Sequence, residues 1–457
     1  MALHSLIFSL LWICVSVASA ASLTGSRLLV VLEDSDLKAT YSQFLGDLEA
    51  RGYDLSIQSP KDEKLSLFEH GERAYDHVIL FPPKSKGYGP SLTPQKLVDF
   101  TNKEGNVLVL TSPSGITEQA RELARELEID LPPRDFLAVD HFNYNTLSES
   151  EKHDVILIPR PAKADNSQNY FSGKEGEMIA FRGAGHMLGN RPLIFPVLSG
   201  SRTAYTYDTK EDFSYAEDPW VAGSQMHYVT ALQARNNARI TVSGSTDMFS
   251  DEFFAMEVQA PGSEKKIKTA NREFAKEISG WTFQEIGVVK VAEVRHYLAN
   301  TTEQVNPIVY RVKNDITYEI SLSTWSNDRW VPFSIPSGDA LQLEFTMLDP
   351  YYRLSLAPST TTAESQVYTA TFRAPDQHGI FSFRVNYKRP FVTYVDEKWT
   401  VPLRHFAHDE YTRSWDISGA WVWIAGIAVT VAGWMVFCGL WLYSAPPKKV
   451  EVSKKKN

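Results

Sequence analysis

The sequence predicts a doubly wound α/β domain, then one or more antiparallel β-sandwich units, then a single C-terminal transmembrane helix. Three observations predict this order. Short continuous apolar runs first alternate with segments of helical periodicity. Further along, β-branched and aromatic segments are separated by turn-forming residues. Finally, a long uncharged apolar stretch precedes a basic tail.

The N-terminus predicts a cleaved signal peptide over 1–20. An apolar run, Leu6–Val17, is followed by Ala18, Ser19 and Ala20, and small residues at these places are what signal peptidase accepts. The run is too short to cross a bilayer, so we expect a mature chain that starts at Ala21. A buried core helix is the less favoured interpretation.

The α/β domain is expected over 26–262. Continuous apolar runs are typical of parallel strands that are covered on both faces, and residues at helical spacing lie between them. Thr93 and Pro94 mark the start of one helix, as an N-cap and a first-turn proline. The candidate strands are Leu28–Leu32, Val78–Phe81, Val107–Leu110, Val155–Ile158, Leu193–Val197 and Ile240–Val242.

The β-sandwich region is expected over 280–410. A polar stretch with three lysines, Gly262–Lys268, is predicted to connect it to the first domain. Asn, Asp, Gly and Pro residues separate its strands. The candidate strands are Val288–Val294, Ile308–Val312, Tyr318–Leu322, Leu341–Met347, Val367–Phe372 and Ile380–Tyr387.

A transmembrane helix is predicted over 417–443. No charged residue lies between Asp416 and Lys448, and at about 1.5 Å per residue the stretch can cross a hydrocarbon core of roughly 30 Å. Lysines dominate the tail, 444–457, so the bias of positive charge predicts a cytosolic tail and a luminal N-terminal region.

Small residues spaced four apart in the helix suggest packing against other helices: Gly426, Ala428, Thr430 and Ala432.

Lysines stand at the fourth and third positions from the C-terminus, Lys454 and Lys455. This placement resembles the dilysine signal that coat machinery reads to return type I membrane proteins to the endoplasmic reticulum. Lysines could instead serve only the charge bias of the tail. Retrieval is the preferred interpretation, and it predicts residence in the endoplasmic reticulum membrane.

Composition excludes several kinds of function. The only two cysteines, Cys14 and Cys438, fall in the predicted leader and the predicted span, so the luminal region has no thiol for a disulfide or for catalysis. The net charge of −9 argues against a nucleic-acid partner. Motifs of serine hydrolases, zinc proteases and nucleotide triphosphatases do not occur in the sequence, and we predict no cofactor and no metal site.

The sharpest catalytic candidate is the pair Asp34 and Asp36, because two carboxylates separated by one residue hold a metal and a nucleotide-sugar in many glycosyltransferases. The preferred interpretation is a strand-to-helix loop whose acids cap the helix that begins near Lys38. The glycine-rich segment Gly183–Gly189 is expected to be a loop, since its spacing departs from the dinucleotide fingerprint. His141 and His186 are interpreted as lone structural histidines.

One glycosylation triplet, Asn300–Thr302, occurs in the chain, and its luminal placement predicts a glycan on Asn300. An unmodified loop is the alternative.

Several segments together resemble the non-catalytic single-pass subunit family of eukaryotic oligosaccharyltransferase, the wheat-germ-agglutinin-binding or 48-kDa-type subunits, in their fungal form. The juxtamembrane segment His408–Arg413 departs from the family only in having Thr412 where proline is common. The segments that carry the resemblance are Leu28–Asp34, Tyr75–Pro82, Val139–Tyr144, Gln233–Arg239, Ser243–Ser245, Met248–Asp251, Leu341–Phe345, Met347–Tyr351, Pro375–Asp376 and Gly379–Phe383.

The resemblance implies membership in the complex that transfers a preassembled glycan from dolichyl diphosphate to asparagine in nascent chains. A separate multi-spanning subunit performs the transfer in that complex, so this chain is expected to be a scaffold for other subunits that also helps to hold the lipid-linked oligosaccharide or the nascent polypeptide. The resemblance also implies a glutamine-amidotransferase-like but non-catalytic first domain, since the nucleophilic cysteine is missing. Four polar residues are expected to have a structural or interface role: Arg235, Asn236, Asn237 and Arg239.

Two alternatives remain open at this point. An independent luminal glycosyltransferase would use Asp34 and Asp36 with a divalent metal, although such enzymes usually carry their anchor at the N-terminus. A cargo or retrieval receptor of the endoplasmic reticulum would share the same predicted topology.

Overall fold

The computed structural model describes residues 22–34, 36–62, 64–85, 87–148, 150, 152–161, 170–210, 218–301, 304–326, 328–411 and 420–448. The predicted signal peptide, the residues 417–419 of the predicted span, and Lys454 and Lys455 lie outside these ranges.

A seven-stranded mixed sheet organises the first part of the chain. Its spatial order is β5-β6-β7-β4-β3-β1-β2. The five strands β7, β4, β3, β1 and β2 are parallel to one another, whereas β6 is antiparallel to both β7 and β5. The sheet is therefore mixed rather than wholly parallel. The strands are β1 (Arg27–Val31), β2 (Asp54–Gln58), β3 (His77–Leu80), β4 (Asn106–Leu110), β5 (Ile194–Ser199), β6 (His227–Gln233) and β7 (Arg239–Ser243).

Helices cover both faces of this sheet. Successive residues of β1 alternate between two hydrophobic cores, with Leu28 and Val30 in one and Leu29 and Val31 in the other. Helices α2 and α6 contribute to the first core, and α3 and α4 contribute to the second. This explains the continuous apolar runs in the sequence. The helices are α1 (Leu37–Thr40), α2 (Ser42–Ala50), α3 (Pro94–Asn102), α4 (Glu118–Glu126), α5 (Asp251–Ala255) and α6 (Asn271–Thr282).

Local capping fixes where α3 and α4 begin. The Thr93 hydroxyl accepts a hydrogen bond from the Lys96 amide, and Pro94 occupies the first turn of α3, as the sequence predicted. The Thr117 hydroxyl accepts from the Ala120 amide at the start of α4 in the same way. Each cap satisfies an amide that the helix itself leaves unpaired.

The candidate strand Val155–Ile158 forms outside the main sheet, where Ile156–Pro159 pairs antiparallel with Met178–Phe181. Residues 262–268, expected to connect the two parts of the chain, instead belong to the loop and the second strand of a small hairpin. The helix after them, α6, is buried in the first core, so that core continues well past residue 262. The short strand pairs around the main sheet are Phe68–Glu69 with Glu72–Arg73, Ile129–Asp130 with Met187–Leu188, Phe136–Val139 with Tyr205–Asp208, and Glu257–Val258 with Ile267–Lys268.

Two five-stranded sheets form the second part of the chain. One has the order β8-β10-β15-β14, with β11 paired to β10, and is antiparallel throughout. The other has the order β9-β17-β16-β12-β13 and is antiparallel except for the parallel pair β9 and β17. The strands are β8 (Val289–Leu298), β9 (Tyr310–Arg311), β10 (Asp315–Ser326), β11 (Arg329–Pro332), β12 (Gln342–Met347), β13 (Asp349–Ser355), β14 (Ala357–Thr361), β15 (Gln366–Arg373), β16 (Gly379–Tyr387) and β17 (Val395–Arg404).

The two sheets share one hydrophobic core. Aromatic rings cross between them: the Tyr318 ring of β10 stacks 5.3 Å from the Phe383 ring of β16, and the Phe345 ring of β12 lies 5.1 Å from the Phe372 ring of β15. The alternation of apolar and polar residues along each strand places one side in this core.

The last described helix, α7 (Ala420–Leu442), spans 23 residues with a mean hydropathy of 1.9. Its length and composition suit a membrane span, and its side chains are almost all exposed.

Candidate interaction sites

The turn between β6 and β7 carries the polar residues that the sequence singled out. The Ala234 amide donates to the Ala238 carbonyl at 2.8 Å, and Asn237 adopts a left-handed backbone with φ of 66°. Asparagine tolerates this conformation better than most residues, which accounts for its place here. The Asn236 side chain accepts from the Ala238 amide and donates to the Thr101 carbonyl at the end of α3. Arg235 points away and is exposed.

Arg239 is fully buried and binds backbone oxygens instead of a carboxylate. Its guanidinium donates to the carbonyls of Trp281, Ile286 and Gly287, each at 2.7 Å. The Trp281 ring lies 4.7 Å from the guanidinium carbon, a favourable cation–π arrangement. Burial lowers the pKa of Arg239 to about 9, so the side chain stays charged at neutral pH. Arg239 thus fastens β7 to the segment that leads from α6 into β8.

A second set of contacts reaches the loop between β16 and β17, residues 388–394. The Gln233 side-chain amide donates to the Val392 carbonyl at 2.9 Å, and the Asn237 side-chain oxygen accepts from the Tyr394 backbone amide at 2.8 Å. In return, the Phe391 carbonyl accepts from the Trp281 indole at 2.9 Å. The Phe391 ring packs against aromatic side chains of the first core. Together with the Arg239 contacts, these interactions form what we call the joint.

Asp34 and Asp36 lie between β1 and α1, where the Asp36 amide donates to the Asp34 carboxylate at 3.3 Å. The Asp34 carboxylate accepts from the Lys84 ammonium at 3.1 Å, and this bond lowers the pKa of Asp34. Asp36 is exposed and stands at the N-cap of α1 without a capping bond from its side chain, so the expected side-chain cap is not formed. Within the described ranges, no group of three candidate ligands could hold a metal ion.

His186 and His141 differ in setting. His186 is fully buried, its Nε2 lies 2.6 Å from the Thr230 hydroxyl, and burial lowers its pKa to about 3. His141 was expected to be a lone histidine, but it has two partners. Its Nδ1 lies 2.7 Å from Nδ1 of His153, and its Nε2 lies 3.0 Å from the Tyr205 hydroxyl. The segment Gly183–Gly189 is a loop that includes the short strand Met187–Leu188.

Acid is expected to destabilise the fold through buried histidines. Burial holds the pKa of His186 near 3 and that of His77 near 4, against about 6.5 in an unfolded chain. The unfolded state therefore binds more protons below pH 6.5. The stabilisation is fully present above that pH and is lost as pH falls from about 6.5 to about 4 for His77 and to about 3 for His186. Each such histidine should add up to about 1.4 kcal/mol per pH unit to the slope.

Chemical unfolding of the full chain between pH 7.5 and 4.5 measures this slope. His186→Gln is expected to lower the slope by up to about 1.4 kcal/mol per pH unit, because the unfolded variant binds one proton fewer in acid. His70→Gln changes an exposed position and serves as the control. Equal slopes for both variants would contradict the assignment.

Comparison with known proteins identifies the family. A family model described as the OST48 N-terminal domain matches residues 19–285, and one described as the OST48 middle domain matches residues 296–445. The chain belongs to the OST48 family. The resemblance that the sequence suggested is thereby confirmed.

Curated OST48-family relatives extend over nearly the whole chain. It is 35% identical over 452 residues to the dolichyl-diphosphooligosaccharide–protein glycosyltransferase subunit wbp1 of Schizosaccharomyces pombe, covering 97% of this chain and 99% of that protein. The 48 kDa subunit of the same transferase is 32% identical in Danio rerio, covering 94% of both chains, and 31% identical in Arabidopsis thaliana, covering 92% of this chain and 93% of that protein. A solved thua-like protein from Parabacteroides merdae covers 56% of this chain and 89% of its own at 12% identity, but its TM-score of 0.28 is too low to establish a common fold.

The joint lies where the two OST48 regions meet. The carbonyls of Ile286 and Gly287 that Arg239 binds fall in the short interval between the matched regions, 19–285 and 296–445. The 388–394 loop belongs to the second region and contacts the first. Gln233 lies in the segment Gln233–Arg239 that the sequence singled out, but its contact with Val392 was not predicted. Phe391 was not singled out at all, because each of these contacts joins residues more than a hundred positions apart.

The predicted helix-packing residues all lie on exposed α7. The Thr430 hydroxyl donates to the Gly426 carbonyl at 2.9 Å, so its hydrogen bond is made within the helix. At about 100° per residue, the pair Gly426 and Thr430 falls on roughly the opposite side from Ala428 and Ala432.

Asn300 follows β8 in an exposed turn, where an attached glycan would be free of the core. The hydroxyl residue that completes its triplet, Thr302, lies outside the described residues. Asn300→Gln is expected to increase the electrophoretic mobility of the chain, because one glycan is lost. Thr301→Ala should leave the mobility unchanged, because any residue but proline is accepted at the middle position of the triplet. Mobility before and after endoglycosidase treatment is the measurement. Retention of the glycan in Asn300→Gln would contradict the assignment.

Proposed function

We propose that this chain is a non-catalytic subunit of the oligosaccharyltransferase of the endoplasmic reticulum membrane, which N-glycosylates nascent chains. The observation that carries the proposal is similarity over essentially its whole length to relatives named as subunits of that transferase. Transfer from dolichyl diphosphate would be performed by a separate multi-spanning subunit. In this chain, the Asp34 carboxylate accepts from the Lys84 ammonium and the Asp36 amide, and Asp36 stands exposed at the N-cap of α1.

The proposed topology follows the charge distribution. Residues 1–20 would be a cleaved signal peptide, the two luminal parts would precede α7, and the tail from 444 would face the cytosol. Lys454 and Lys455 would then be read by coat machinery as a retrieval signal. The first luminal part would be a glutamine-amidotransferase-like domain without the nucleophile, since Cys14 and Cys438 are the only cysteines.

The luminal parts would act as a scaffold. The joint connects them through buried hydrogen bonds, and a rigid connection lets one part keep a defined position when the other is bound to a neighbouring subunit. The scaffold would hold the lipid-linked oligosaccharide or the nascent polypeptide close to the catalytic subunit. In the membrane, α7 would contact a different neighbouring helix on each side, through Gly426 with Thr430 and through Ala428 with Ala432.

Depletion and copurification test the proposal. Complete depletion of the chain should lower occupancy of glycosylation sites on secreted proteins, measured by mass spectrometry, and the full chain should restore it. After gentle solubilisation, the tagged chain should bring down the multi-spanning catalytic subunit. The proposal fails if occupancy is unchanged or if the chain migrates alone in native gels.

Variants of α7 test the membrane contacts separately. Gly426→Leu with Thr430→Leu should weaken copurification of partner helices, because bulky side chains prevent close approach of the backbones. Val429→Leu with Val436→Leu is the matched control, since it changes the same helix without removing a small residue.

A further inference from the structure

One end of the second part carries exposed apolar side chains. The pairing of Gly379 with Leu403 places the start of β16 beside the end of β17, and the chain leaves towards α7 from there. At this end Leu348 is fully exposed and Ile380 is 68% exposed. Single exposed apolar residues are common, but a group of them at one end of a unit indicates a binding surface.

These residues are neighbours in space. Leu348 forms the turn between β12 and β13 in a left-handed backbone, with φ of 68°, which a leucine rarely adopts. Met347 touches the position that a side chain on Gly379 would occupy, so the turn lies against the start of β16. The Tyr351 ring lies 6.1 Å from the Phe381 ring. We call Leu348, Tyr351 and Ile380 the apolar tip.

A short connection ties this end of the unit to the membrane helix. The Arg404 guanidinium donates to both carboxylate oxygens of Glu410, at 2.7 and 2.8 Å, which folds the chain against the end of β17. The Tyr411 ring packs 5.5 Å from the Phe406 ring. From Tyr411 to Ala420, the first residue of α7, nine residue steps can span at most about 30 Å.

We propose that the apolar tip inserts into the interface of the lipid bilayer in which α7 is anchored. The connection limits the distance between the tip and the headgroups, since β12 lies two strands from β17, about 10 Å away. Transfer of leucine and isoleucine side chains out of water lowers the free energy, and tyrosine favours the boundary between headgroups and acyl chains. The tip would be a second contact with the membrane, and two contacts fix the tilt of the luminal parts where one helix leaves them free to rotate.

Spin labels on the full chain in lipid nanodiscs test this directly. In a chain with Cys14→Ser and Cys438→Ser, single labels are attached at Leu348→Cys or Ile380→Cys. The matched control is Thr360→Cys, at an exposed position of β14 in the other sheet, beside the Gln366 end of β15 and away from the tip. Both tip labels should collide more with oxygen and less with a water-soluble nickel chelate than the control, because oxygen concentrates in lipid.

A charge at the tip provides the second measurement. Adding Leu348→Asp to the Ile380→Cys chain should shift that label towards the chelate, whereas Leu348→Ala should shift it less. Tip labels as accessible to the chelate as Thr360 would overturn the proposal, and so would labels that are shielded only in the complete transferase complex, since that result assigns the tip to a protein partner. Both outcomes leave the proposed subunit function standing, because copurification tests that separately.

Discussion

Arg239→Ala is expected to lower the free energy of unfolding by about 3 to 5 kcal/mol. The alanine would remove three charge-assisted hydrogen bonds, to the carbonyls of Trp281, Ile286 and Gly287. The Trp281 and Gly287 carbonyls keep the Gln284 and Thr393 amides as donors, whereas the partly buried Ile286 carbonyl loses the guanidinium, and an unpaired buried group costs roughly 1 to 3 kcal/mol. It would also leave a cavity beside the Trp281 ring. The measurement is chemical unfolding of the full chain in nanodiscs, or its half-life in cells after synthesis is stopped.

Arg235→Ala is the matched control, because this arginine lies in the same turn but is exposed. A surface change of this kind should alter stability by less than about 0.5 kcal/mol. Arg239→Lys should fall between the two, since an ammonium keeps the charge but lacks the planar fork that reaches several carbonyls at once. If Arg235→Ala and Arg239→Ala destabilised the chain equally, the joint would not depend on the buried guanidinium.

Local sequence patterns predicted the central strands, because burial on both faces of the sheet restricts most of their positions to apolar residues. Every residue of β4 and β7 is buried, so apolar runs mark most of them without help from the rest of the chain. The edge strand β2 was not predicted, since it is only half-buried and reads as a polar segment. The strand β6 was also missed, because buried Thr230 and Gln233 interrupt its apolar run.

The buried polar residues of β6 are hydrogen-bonded to partners that are distant in the sequence. Thr230 pairs with His186, and Gln233 reaches the Val392 carbonyl of the 388–394 loop. A window of a dozen residues contains neither partner, so no periodicity could reveal them. For the same reason, the segment Gln233–Arg239 could be singled out as a polar cluster, but only the structure separates exposed Arg235 from buried Arg239.

The extent of the first core has a similar explanation. Lysines and a glycine made 262–268 read as a connector between two parts. The following helix, α6, nevertheless supplies Phe274, Ile278 and Trp281 to the first core. A polar loop inside a domain and a polar linker between domains have the same composition, and burial of the next element distinguishes them.

Trp281→Ala is expected to cost roughly 3 to 5 kcal/mol, the range for removing a buried aromatic side chain. Trp281 is fully buried, and the rings of Phe195 and Phe391 lie 5.7 and 6.3 Å from it. Its indole also donates to the Phe391 carbonyl. Trp281→Phe should cost less, because it keeps an aromatic ring but loses this donor. Unfolding of the full chain is again the measurement, with the partly exposed Trp399→Ala as the control.

The combined variant Arg239→Ala with Trp281→Ala decides whether the joint acts as a unit. Both residues bind the same segment, and each is the other's packing partner at 4.7 Å. Once Trp281 is gone, Arg239 has lost its ring contact, so the double variant should cost less than the sum of the single variants by about 0.5 to 3 kcal/mol. Strict additivity would mean that the two parts of the chain on either side of the joint are held by independent contacts, and a hinge at residues 286–288 would then be compatible with the fold. A shortfall from additivity instead describes a connection that forms or breaks as a whole, which is what a scaffold needs in order to hold a bound neighbour in place.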